Sequence, residues 1–239
     1  MGEEHFKLKT REDVARFEAL SAAYAKSRAN FAVNHISLTG TFDYCQTRDD
    51  GAKLFTAFLD VSINFMLLWC DTVSAGRAWT ENFSRGGFED GSVLDSQETF
   101  TGKMDVHRFN TAFIFRYRAL WDKLMGVLIM GYVPNRYEDF VTAKSRKKAF
   151  RKYMGNVAGF TSETWEAIEK HLTEFDNKFR TAESHGTGAL RKWSFLMLPL
   201  NETPEVQLIA AWNIINQFVA VLGKASVSAN TVGSSNPPK

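Results

Sequence analysis

Reactive side chains are densest at Lys178-Phe179-Arg180-Thr181-Ala182-Glu183-Ser184-His185, which runs straight into Gly186-Thr187-Gly188. An arginine, a glutamate, a serine and a histidine stand within six residues, where a strongly patterned helix gives way to glycine. Arginine is a permanent cation whose planar fork suits phosphate, and histidine exchanges a proton near neutral pH. Held close together, the two would bind a phosphodiester and move a proton beside it. Chance alone supplies roughly 0.3 Arg-x4-His pairs in a chain of this composition, so the place of the motif carries the reading and its spacing does not. The same residues suit a second account that needs no chemistry. Basic side chains satisfy the last free carbonyls of a helix, and glycine completes the stop.

The elements that must position these residues are helical throughout. Thr10 with Asp13 forms a capping-box-like start. Val14, Phe17, Ser21, Tyr24, Arg28, Phe31, His35 and Leu38 then recur at three- and four-residue steps, with Leu20 supplying bulk beside Ser21. This predicts one core-facing helix with Arg28 and His35 on its inward side, as a polar break in a seam or the wall of a cavity. Asp49-Asp50-Gly51 is a turn signal. A second helix follows from about Ala52 into the 74–80 region, with rows Leu54, Phe58, Val61, Phe65, Leu68 and Phe55, Leu59, Met66, Trp69. Residues 84–103 turn polar and glycine-rich and are expected to form a loop or lid. A third, central helix spans Asp105 to Met130, striped by Phe109, Phe113, Tyr117, Leu120, Leu124 and Val127. Phe115, Ala119 and Trp121 add apolar weight elsewhere on it, and Arg116, Arg118 and Lys123 add positive charge. Gly131 and Pro134 end it. The fourth main helix starts at Thr161-Ser162-Glu163, and its row Trp165, Ile168, Leu172, Phe175, Phe179 is the cleanest heptad-like stripe in the chain. Arg180 flanks that row. A last helix opens at Thr203-Pro204-Glu205, turns Leu208, Ala211, Trp212, Ile215, Phe218, Val219 and Leu222 inward, and stops at Gly223.

The expectation is an all-α, up-and-down bundle of about five long helices with short connecting ones. Residues 1–9 form a flexible start, 10–225 a single domain, and 226–239 a tail too polar to bury anything. With 239 residues, 44% hydrophobic, the chain can build a sizeable core. A formal charge of +2 means that a nucleic-acid partner would be met by a local patch. Cys45 and Cys70, the only cysteines, make neither a metal cluster nor a disulfide scaffold, which points to a reducing cytosol. Met1 to His5 lacks the basic-then-apolar order of a secretory signal, and Phe6 stands where myristoylation wants Ser or Thr. Asp60, Ser62 and Asn64 interrupt the most apolar run, Leu54 to Cys70, which therefore reads as a buried helix and not as a membrane span.

Three further clusters could carry chemistry. Lys144-Ser145-Arg146-Lys147-Lys148-Ala149-Phe150-Arg151-Lys152-Tyr153 holds six cations and no acid. It suits a phosphate backbone, with Phe150 and Tyr153 to stack a base, or else it is a solvated face whose aromatics enter the core. Asp60, Asn64 and Asp71 share one helix face, but nothing completes a metal set, so a solvated stripe is expected. His171 and Glu174 read as a surface polar pair.

Arg180 and His185, with four residues between them at a helix end in the C-terminal half of an all-α chain, resemble the Arg-x4-6-His motif of the HEPN superfamily. The resemblance spans about 105–223, and Thr181 fills the position after the arginine, where members often carry Asn, Asp or His. It implies a metal-independent endoribonuclease that cuts RNA through attack by the 2′-hydroxyl, with neither metal nor cofactor. His185 would act as general base or acid, and Arg180 would hold the scissile phosphate. Thr181 or Glu183 would orient the imidazole. Arg191 and Lys192, with Lys147, Lys148 and Arg151 of the basic run, would steer the RNA. One histidine does not easily serve as both acid and base, which favours a homodimer with two motifs across a two-fold axis. A cytoplasmic toxin or defence effector, held by a protein antitoxin or similar partner, is the setting implied. The alternative within the superfamily is an inert helical module that binds a nucleotide or a protein. An unrelated scaffold assembling through tryptophan-rich faces is the third reading.

Overall fold

A computed structural model of the chain describes residues 8–29, 38–84, 97–155, 157 and 162–184. Among these residues every regular element is helical: α1 (Arg11–Ala29), α2 (Leu38–Cys45), α3 (Gly51–Ser84), α4 (Gln97–Tyr132), α5 (Tyr137–Val141), α6 (Arg146–Met154), α7 (Ser162–Phe175) and α8 (Thr181–Ser184). A single 3-10 turn, Pro134–Arg136, precedes α5, and a π-helical turn, Asp176–Arg180, joins α7 to α8. The fold is all-α, as the helical periodicities predict. The described helices form two compact units, one of those up to Met66 with Lys123–Met154, the other of Leu67–Asp122 with the described residues of 155–184. Both α3 and α4 contribute to each unit.

In the first unit, Thr10 and Asp13 close the expected capping box. The Asp13 N–H donates to the Thr10 hydroxyl at 3.1 Å, and the Thr10 N–H donates to the Asp13 carboxylate at 3.0 Å. The predicted inward row of α1 is only partly right. Val14 and Ala25 are buried, but Tyr24 and Arg28 are exposed, the guanidinium lying over the Tyr24 ring, and Leu20 is 61% exposed. Glu18 sets the true facing: its carboxylate accepts the Leu38 and Thr39 N–H groups at the start of α2, so the face carrying Val14, Glu18 and Ala25 turns inward. Phe31 and His35 lie outside the described residues. Gly51 is required where α3 begins, since a Cβ there would stand 1.7 Å from the Cys45 carbonyl oxygen. The Arg48 guanidinium pairs with Asp50 and donates to the Met130 and Gly131 carbonyls, which closes the end of α4. Burial pushes the Cys45 thiol up to about 11.

The two apolar rows of α3 behave as predicted, with all but Trp69 buried. Gly51–Ala78 is long and apolar enough to cross a membrane by length and composition, and 44% of its most apolar window is buried within the protein. The polar face of this helix is not a solvated stripe. Lys123 pairs with Asp60, which also accepts from the Asn64 amide, and in the second unit Arg116 pairs with Asp71 at 2.8 Å. The cations and acids that periodicity assigns to separate outward faces neutralise each other.

In the second unit α4 begins earlier than expected. Gln97 to Lys103, read from sequence as loop, is helical. The Thr101 hydroxyl donates to the Gln97 carbonyl, and Gly102 and Lys103 are buried, so packing overrides the weak local propensity. Phe113, Tyr117, Leu120 and Trp121 of α4 are buried with Trp165, Ile168, Leu172, Phe175 and Phe179, while Phe115 and Ala119 face outward. Leu172→Ala, at a fully buried position, should cost about 2–5 kcal/mol of unfolding free energy in urea titrations. Phe115→Ala, at a position 44% exposed, should stay within about 0.5 kcal/mol of wild type.

Candidate active site

The apolar row of α7 is spaced so that Trp165, Ile168, Leu172 and Phe175 share one face, and all four are buried. An α-helix would continue unchanged after Phe175, but the backbone widens. The Thr181 N–H donates to the Asp176 carbonyl, five residues back, so Asp176 to Arg180 form a π turn. Phe179 stays in the core, fully buried, with Asp176 buried beside it and Arg180 half-exposed. Single π turns inside α-helices recur at functional sites.

Asp176 is 7% exposed and cannot remain charged there without partners. Arg118, reaching from α4, donates its Nε–H to both carboxylate oxygens at 3.1 and 3.3 Å. The same guanidinium engages Asp122, one turn further along α4. On the other side, the Nε of Arg180 lies 3.0 Å from Asp176 Oδ1, and the Arg180 side chain keeps 42% of its surface exposed. Acid and base therefore alternate along Asp122, Arg118, Asp176 and Arg180, running from a buried guanidinium to a half-exposed one. Through its Nε, Arg180 is tethered, which leaves its Nη groups at the outer end of the fork. A planar cation so held suits a phosphate oxygen pair.

Next to this chain lies an aromatic seam. Tyr117 is fully buried, with Phe113 stacked on it at 5.6 Å and Phe175 tilted against it at 4.6 Å; Phe179 continues from Phe175 at 5.1 Å. The Tyr117 hydroxyl meets His171 Nε2 at 2.7 Å. His171 is thus not a surface polar pair with Glu174 but a half-buried ring on the inner side of α7. Burial holds its pKa below the ordinary imidazole value, against the pull of Glu174. Burial likewise raises Tyr117, which stays a neutral phenol.

Of the residues singled out from the sequence, Arg180 closes the π turn that follows α7. Thr181 is exposed beside it, and Glu183 belongs to α8. His185, Arg191 and Lys192 lie outside the described residues. Lys147, Lys148 and Arg151 sit on α6 in the first unit, Lys148 and Arg151 exposed and Lys147 half-buried. Phe150 is 1% exposed and cannot stack a base, which corrects that part of the reading. Tyr153 is half-buried, with the Arg136 and Lys152 cations over its ring. Among the described residues no three metal-ligating side chains converge. Sequence reasoning missed Asp176 and Arg118. The acid four residues before Arg180 was a visible signal, since such pairs meet on a helix surface. Arg118 offered none, because its partner Asp176 is 58 residues away.

No family model, no curated protein and no solved structure matches the chain.

The His171 environment has a pH consequence. Its folded-state pKa is lowered, so as pH falls the unfolded chain takes up the proton first. Stability should therefore drop as pH falls below about 6.5 and continue to drop down to the folded-state value. His171→Gln, which removes the titration but can still meet the Tyr117 hydroxyl, should show a shallower loss between pH 7.5 and 5 in urea midpoints. Parallel curves for the two proteins would contradict this assignment.

Proposed function

We propose that the protein is a metal-independent endoribonuclease of the HEPN type. The observation that carries the reading is Arg180: a half-exposed guanidinium, close through Nε to a buried carboxylate, at the last position of the π turn after α7 and five positions before His185. In this reading the Arg180 fork receives the scissile phosphate. His185 takes the proton of the ribose 2′-hydroxyl as that oxygen attacks phosphorus. The 5′-oxygen leaves with a proton supplied by the same ring or by its counterpart in a second subunit, and a 2′,3′-cyclic phosphate remains. Thr181, exposed next to Arg180, and Glu183 are the groups that orient the imidazole. Arg191, Lys192 and the exposed cations of α6 steer the RNA.

The finer architecture belongs to the same proposal: an up-and-down bundle of about five long helices, with the HEPN-like part at about 105–223. Assembly as a homodimer is supported by Phe100, Met104 and Phe115, which are 40–46% exposed and fall on one flank of α4. A cytoplasmic toxin or defence effector controlled by a protein partner is the setting that such chemistry fits.

The test is cleavage of labelled RNA in the presence of EDTA. Wild type should cut, and His185→Ala should abolish cleavage with helical circular dichroism unchanged. Arg180→Ala should lower kcat by about 10²–10³-fold, the usual effect of removing one group that stabilises transition-state charge. A His185→Ala protein that cuts at the wild-type rate would remove the reading.

A further inference from the structure

We infer that Arg118 is a positioning residue for the Arg180 phosphate fork, acting through Asp176 from the neighbouring helix. The inference rests on the ribonuclease reading and deepens it. Arg118 is 8% exposed, too buried to hold an RNA phosphate itself. What it controls is how Asp176 uses its two oxygens. A carboxylate 7% exposed draws in every donor within reach, because desolvation leaves its charge dependent on them. Arg118 contributes one N–H to both oxygens at 3.1 and 3.3 Å. Asp122 holds the guanidinium of Arg118 in turn, from the same helix and in an i,i+4 pair.

With part of that demand met from the buried side, Arg180 meets Asp176 with Nε at 3.0 Å, and its side chain remains 42% exposed. Without Arg118, Asp176 would draw more strongly on its remaining partners, Arg180 among them. The fork would then swing inward and chelate the carboxylate with both Nη groups, the donors that a phosphate needs. A fork bound to its own carboxylate cannot also accept a substrate anion. Arg118 thus keeps Arg180 tethered but unspent, and it does so from a helix with its own fixed place in the aromatic seam.

The test is a double-mutant cycle on RNA cleavage in EDTA, with kcat and KM measured for wild type, Arg118→Lys, Arg180→Lys and the double variant. Lysine at 118 keeps the charge but loses the planar fork. Arg118→Lys should lower kcat by about 100-fold, the scale expected for displacing a catalytic group by about an ångström. The double variant should be no slower than Arg180→Lys alone, because the role of 118 runs only through 180. If Arg118→Lys does not fold by circular dichroism, the isosteric Asp176→Asn enters the same cycle. A folded 118 or 176 variant that cuts at the wild-type rate would overturn the inference while the ribonuclease reading stands. So would losses that simply multiply with Arg180→Lys. A wild-type protein that leaves RNA intact would overturn both.

Discussion

A guanidinium and a carboxylate removed from water, Arg118 and Asp176, impose the strictest demand in the second unit. Each ion costs several kcal/mol to desolvate, and only close geometry returns that energy. The geometry requires α4 and α7 to meet in one register. That register is held by rings: Phe113, Tyr117, Phe175 and Phe179 in sequence, with His171 hydrogen-bonded to Tyr117. The apolar seam fixes where the charges lie, and the charges reject any neighbouring register that would leave one of them alone. Arg180 is the outermost member of the set, and its orientation is inherited from this interior.

The first unit solves its polar problems with separate, part-buried contacts. Glu18 closes the start of α2, Arg48 closes the end of α4, and Lys123 neutralises Asp60. None of these contacts aims a charged group from a buried anchor toward solvent. The contrast sets Arg180 apart from the more numerous cations of α6, most of which are exposed.

Much of this was legible in the sequence, for identifiable reasons. The 3.6-residue recurrence of large apolar groups in α3, α4 and α7 marked their buried rows almost residue for residue, because burial of that area dominates helix orientation. Capping chemistry located the start of α1. Legibility ended where long-range pairing decides. Periodicity placed Arg116, Arg118 and Lys123 on outward faces, since a charge reads as solvated until its partner is known; each meets an aspartate distant in sequence. His171 looked like surface because Glu174 was its only visible neighbour, and Tyr117 is 54 residues away. The facing of α1 was misread because Glu18, a charged residue, turned out to be structural. Gln97 to Lys103 were assigned to a loop on local composition that packing overrules.

The wide turn at Asp176–Arg180 bears on how such a chain tolerates length changes. A π turn is one residue more than an α-helix needs, so deleting any single residue within it would restore ordinary helical winding. Everything downstream would keep nearly the same facing relative to α7, because the wide turn takes up its extra residue within one turn. In a comparison of homologous chains the segment would look like a harmless indel site. Physically it is a spacer: a chain one residue shorter there keeps the facing of its helix and its core row, but loses one position of the separation across which Arg180 meets Asp176.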